Sequence, residues 1–255
     1  EPPGGSSAPA IDVRARLTAA GEVLLCSSVP TQLAIAAVLR AAGVRATTDT
    51  GALSLTFVAL LSALDTAVLV ALMATLLVGR GERPRDVWVG RPRVWRDVSL
   101  GLASIPALFL GVGGLMALLR VAVPSLHNVE RNPLEGLLAE PGSAVVFGLV
   151  AIVAGGLREE LQRAFLLTRF ERYLGGTATG VAVLSIAFGL GHMLQGLDAA
   201  VTTGTLGLLW ALMYVRRRST LAPIVSHAGF NALEVLRVVL RSEEHTSELQ
   251  SHLNL

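Results

Sequence analysis

Three short polar clusters lie far apart in this chain, each inside or at the edge of an apolar stretch. They are Arg158-Glu159-Glu160-Leu161-Gln162-Arg163, the run Phe188 to His192, and the run His227 to Asn231. Carboxylates, imidazoles and an amide are groups that activate water, carry protons and stabilise an oxyanion. On a helix, Glu159 and Arg163 (four apart) or Glu160 and Arg163 (three apart) share a face. Arg163 could therefore orient one carboxylate and leave the other to take a proton from water. Phe188 and His192 are spaced to pack ring beside ring, and His227 and Asn231 repeat the four-residue spacing, with Glu234 about one turn further on. Singly, each cluster has an ordinary structural reading: an ion pair, an interfacial histidine, a hydrogen-bonded pair between helices. Ionisable groups are costly in hydrocarbon, and their gathering on three separate spans points to a shared functional site.

The elements that must position these residues are membrane helices. The 255-residue chain is 52% hydrophobic and 16% charged, and its apolar runs are long, repeated and separated by short charged loops. Six spans are expected at about 52–78, 98–123, 143–168, 178–194, 199–215 and 220–240, with a weaker one over 17–43 that Glu22 and Pro30 interrupt. The tight link Gln195-Gly196-Leu197-Asp198 makes the fourth and fifth of the six a close hairpin. The expected fold is all-α, a polytopic transmembrane helical bundle of about six to eight spans.

Charge sets the expected orientation. All 21 basic residues are Arg, a mark of a GC-rich bacterial source, and they fall in loops rather than in a stripe, so no nucleic-acid partner is expected. The Arg-rich loops are those of residues 80–96, 169–172 and 216–218, whereas 124–141 and 195–198 are poor in Arg. This alternation places the Arg-rich loops in the cytoplasm of a multi-pass cell-membrane protein, with Trp88 and Trp95 as interfacial anchors. Cys26 is the single cysteine, which excludes an internal disulfide and a cysteine-based metal cluster. Residues 1–16 read as a disordered or truncated lead-in, 17–142 as N-terminal helices and 143–240 as the part carrying the chemistry. The run from Arg241 to His252 reads as one frame of a common sequencing adapter, so 241–255 is expected to be an artefact, and His245 and His252 are not counted as ligands.

The order of paired glutamates with an arginine, then Phe188 with His192, then His227 with Asn231, resembles the CPBP intramembrane proteases. These are the type II CAAX prenyl endopeptidases and their bacterial relatives, the Abi family. The second and third motifs fit without gaps. The first is one residue short, since only Leu161 and Gln162 separate Glu160 from Arg163. The resemblance implies an endopeptidase that cleaves a membrane-associated peptide or protein, such as a CAAX-type prenylated one, beside the lipid bilayer. It implies that Glu159 or Glu160 activates water, that His192 and His227 hold or exchange protons, and that Asn231 stabilises the oxyanion, with Phe188 in support. A divalent metal such as zinc is permitted, held by Glu159 or Glu160 with His192 and His227, although the HExxH signature is absent.

At ~1.5 Å per residue, His227 lies about 10 Å, Glu159 about 15 Å and His192 about 22 Å from their cytoplasmic helix ends. One shared site therefore requires a tilted, kinked or re-entrant helix. Two rival readings stand beside the protease: a non-catalytic scaffold or immunity protein of the same fold, and a proton-coupled transporter centred on Asp65, a carboxylate in mid-span. The ordinary account of Asp65 is a hydrogen bond to a neighbouring span.

Overall fold

A computed structural model describes residues 12–130, 132–138 and 141–253, and among these every regular element is a helix. In chain order they are α1 (Val13–Leu25), α2 (Val29–Ala41), α3 (Leu55–Gly79), α4 (Pro84–Trp88), α5 (Val94–Ala122) and α6 (Pro141–Val150). A π-helical segment (Ala151–Arg158) then leads into α7 (Glu159–Tyr173), α8 (Gly176–Leu190), α9 (Leu197–Arg217) and α10 (Leu221–Leu253).

The helix starts follow local chemistry. Asp12 accepts a hydrogen bond from Arg14 N at 3.2 Å to open α1, and Ser54 Oγ accepts from Phe57 N at 3.3 Å to open α3. Between α1 and α2, Ser28 takes a left-handed backbone (φ 71°) and Pro30 falls in the first turn of α2, where it removes no needed donor. The two helices therefore meet at a bend of 41°.

By length and composition, four helices can cross a membrane (α3, α5, α9 and the Leu221–Arg241 part of α10), or five with the bent α1–α2 pair. The other two apolar stretches are built differently. The run expected over 143–168 is α6, the π segment and α7 in unbroken succession, and α8 has 15 residues. The exterior is apolar, with Leu110 76% and Val121 83% exposed, while Asp65, Asp97, Glu160, Arg163, Arg169 and Asp198 are buried. That inversion of the usual soluble pattern is what a bilayer-embedded bundle requires.

The Arg-rich segments meet at one end of the bundle. Glu22 accepts from Arg80 Nε at 2.7 Å and Arg169 Nε at 2.5 Å, and Glu82 bridges Arg169 and Arg172. Asp97 accepts from Arg217 Nε at 2.6 Å, and Glu171 accepts both terminal nitrogens of Arg218 at 2.6 and 2.8 Å. At the other end, His127 and Asp198 lie 2.9 Å apart, and Asn132 Nδ2 donates to Gln195 Oε1 at 3.2 Å. Trp95 is exposed, but Trp88 turns inward and donates its indole N–H to Leu161 O at 3.0 Å, so it locks α4 onto α7 rather than lying free at an interface.

Close approaches between helices depend on glycine, and two of them lie at the motifs. A Cβ on Gly189 of α8 would lie 2.5 Å from Ala200 O of α9, and one on Gly156 of the π segment 2.7 Å from Ala228 Cα of α10. The second contact brings the first and third motifs together.

Candidate active site

Glu160 opens the site. It is 1% exposed, in the first turn of α7, and both its oxygens are engaged. Arg163 donates from Nε to Oε2 and from Nη2 to Oε1, both at 3.1 Å, in a side-on pair. His227 on α10 approaches Oε1 with Nδ1 at 2.8 Å. Arg163 also reaches Gly207 O at 3.4 Å and lies with its guanidinium carbon 4.7 Å over the Phe188 ring.

Glu159 stands differently. Its side chain is 21% exposed, Oε1 accepts from Arg158 Nη2 at 3.1 Å, and Oε2 lies 3.9 Å from His227 Nε2. That last distance exceeds a hydrogen bond. The two nitrogens of His227 thus face the two glutamates, one in contact and one at a remove.

His227 is fixed from its faces as well. The Trp210 ring stacks on it at 3.7 Å between centroids and 16° between planes, and the Phe188 ring meets it edge-on at 6.0 Å. Trp210 is held in turn, donating its indole N–H to Ser226 Oγ at 3.0 Å, while Ser104 Oγ bonds Ser226 Oγ at 2.7 Å. The spacing of motifs does not contain Trp210. The available signal was a tryptophan in mid-span, away from the interfacial belts where that residue concentrates.

His192 does not join the glutamates. It follows the end of α8, its Nδ1 lies 2.8 Å from the carbonyl of Phe188, and its ring packs on Phe188 at 4.9 Å. A carbonyl only accepts, so Nδ1 carries the proton and Nε2 is left as an acceptor. The Phe188 ring touches both His192 and His227, and is the link between them. Asn231 donates from Nδ2 to Ala151 O at 2.9 Å, at the start of the π segment. Glu234 pairs with Arg237 at 2.7 Å.

The π segment re-phases the helix before Glu159, and His192 lies beyond the short α8 rather than within it. The metal set fares less well. Among the described residues no three His, Cys, Asp or Glu side chains are grouped to hold an ion. His227 Nδ1 and both oxygens of Glu160 are committed to protein partners, and His192 is set apart behind Phe188. This donor arrangement does not fit the three-ligand zinc site with an open position.

The segment that builds this geometry is also the one that matches a family model. Residues 141–233 match the family model described as type II CAAX prenyl endopeptidase Rce1-like. All three motifs lie within the matched residues, which bears out the resemblance read from them. No curated protein and no solved structure matches the chain. The Rce1-like segment comprises α6, the π segment, α7, α8, α9 and the first part of α10, so α1 to α5 lie outside the match.

Proposed function

We propose that this chain is an intramembrane endopeptidase that hydrolyses a peptide bond of a membrane-associated protein with water activated by Glu159. The observation that carries the choice of base is the unequal commitment of the two glutamates. Glu160 has both oxygens bound to Arg163 and His227, whereas Glu159 keeps Oε2 directed at His227 Nε2 across 3.9 Å. A water between Glu159 and His227 gives its proton to Glu159 as it attacks the carbonyl carbon. Glu160, held by Arg163, accepts from His227 Nδ1 and so fixes which imidazole nitrogen faces the substrate. Asn231 uses one amide hydrogen on Ala151 O, and an amide has two; the second serves the oxyanion. The proton on Glu159 then passes to the leaving amine. His192, an acceptor at Nε2, takes a substrate N–H at the Phe188 side of the site.

The Rce1-like match supports a prenylated CAAX-type substrate as the first to try. The alternation of Arg-rich and Arg-poor loops supports a cytoplasmic position for the Arg-rich end. The transporter reading loses its main support, because Asp65 is bonded to Thr31, Gln32 and Arg158 inside the bundle.

The test compares protein termini in host membranes carrying wild type or Glu159→Gln at matched, inserted levels, beside a purified assay on an internally quenched S-farnesylated CAAX peptide. New ends made by wild type alone establish the protease and name its substrate. Identical termini together with an uncleaved peptide would sink the proposal and favour the scaffold reading.

A further inference from the structure

Asp65 lies in the middle of α3, outside the Rce1-like segment, yet it reaches the first motif. Its Oδ1 accepts from Thr31 Oγ1 at 2.5 Å and its Oδ2 from Gln32 Nε2 at 3.3 Å, and Oδ2 lies 3.4 Å from Arg158 Nη1. Arg158 is buried and forks. Its Nη1 also donates to Ser28 Oγ at 2.7 Å and Gln162 Oε1 at 3.2 Å, while Nη2 donates to Glu159 Oε1 at 3.1 Å. Gln162 adds bonds to Cys26 O at 2.7 Å and Ser28 Oγ at 3.0 Å. One oxygen of Glu159 is thereby tied, through a single guanidinium, to the α1–α2 bend and to α3. The other faces His227.

We propose that Asp65 and Arg158 are positioning residues for Glu159: they anchor Oε1 so that Oε2 is presented to His227 and to water. The proposal rests on the reading of Glu159 as the base. A glutamate carboxylate turns broadly about its last torsion, and a general base must hold its geometry to within about 0.5 Å. A guanidinium on one oxygen removes that freedom only if the guanidinium is itself fixed, and Asp65 and Ser28 fix it. Lysine could not replace it, since a point charge does not reach four partners at set angles. The N-terminal helices, which the family match leaves out, thus complete the site.

The test uses the full chain in liposomes, as Asp65→Asn, Arg158→Gln, Arg158→Lys and the double variant Asp65→Asn with Arg158→Gln. Asp65→Asn keeps an acceptor for Thr31 but replaces the oxygen that faces Gln32 and Arg158 by an amide NH2, so it frees the guanidinium and decides the matter even if Arg158→Gln does not insert. The first readout needs no substrate: the rate at which a hydrophobic carbodiimide labels Glu159, followed by mass spectrometry. A carboxyl released by its guanidinium reacts faster, so both single variants are expected to label at least three-fold faster than wild type, and the double no faster than Arg158→Gln. The second readout is turnover on the substrate found above. We expect kcat to fall at least ten-fold with KM within two-fold, non-additively in the double, and Arg158→Lys to insert without recovering kcat. Labelling of Glu159 at the wild-type rate in inserted Asp65→Asn, or additive losses in the double, would overturn the proposal. Full turnover by Glu159→Gln would instead refute the base assignment, with the labelling still reporting whether Glu159 is held.

Discussion

At the scale of single residues, the two adjacent glutamates are separated by what they touch. Replacing Glu159 by Gln removes the proposed base but keeps an oxygen for Arg158, which stays paired with Asp65, so cleavage should fall by a factor of about 10² to 10⁴ with thermal stability near wild type. Replacing Glu160 by Gln leaves the buried Arg163 without its counter-charge, and breaking a buried pair costs about 3–5 kcal/mol. That variant should lose stability and activity together, as thermal unfolding in detergent will register. The donor arrangement carries a prediction of its own: 1,10-phenanthroline or EDTA should leave the initial rate of peptide cleavage unchanged, and a chelator-dependent loss restored by zinc would reverse that reading. Trp210 adds a fourth residue-level expectation. Trp210→Leu removes the plane stacked on His227 and frees the ring to tilt, so kcat should fall several-fold, read in the same peptide assay.

At the scale of elements, the π segment matters most. Its backbone advances less per residue in angle than an α-helix, and such segments concentrate at functional sites. Deleting one residue from 151–158, for example Val153, would rewind the segment as α-helix and change how Glu159 and Glu160 are turned relative to α6. Cleavage should vanish while circular dichroism keeps its helical signal. This explains what could and could not be read from the sequence. The spacing of His227 with Asn231 was legible because ordinary helical turns surround it, and that of Phe188 with His192 because the His192 ring still reaches the Phe188 carbonyl just past the end of α8. The first motif, one residue short of the family pattern, could not be assigned to one glutamate, because hydrophobicity does not encode where a helix changes its winding. The partner of Asn231 was not legible for the same cause, since Ala151 O belongs to that winding. Asp65 was visible as a costly buried charge, but its partner Arg158 follows much later in the chain, and no local pattern links them.

At the scale of the molecule, the alternation of Arg-rich and Arg-poor loops was legible because it is a property of composition, and the structure gathers the Arg-rich segments at one end. There the side chain of Arg218, hydrogen-bonded to Glu171, holds the Glu171 carboxyl below the usual carboxylate range. A depressed acid stabilises the fold above its unfolded-state value and ceases to do so as the pH falls through the folded-state value. The contribution should be full above about pH 5 and fade on acidification below about pH 4. Both groups are partly exposed, so the effect is small, under about 1 kcal/mol. Comparing melting temperatures of wild type and Glu171→Gln at pH 7 and pH 3.5 checks the sign: the gap should narrow in acid.

The bonds of Asp65 also bear on how a ribosome delivers this protein into a bilayer. Thr31 and Gln32 are synthesised before Asp65, and Arg158 long after it. When α3 enters the membrane, the carboxylate already has a hydroxyl and an amide from α2 to meet. Its counter-ion arrives only with the segment that bears Glu159. The α1–α3 unit therefore presents its buried carboxylate before the matching arginine exists, and Arg158 supplies the counter-charge of Asp65 when its segment arrives.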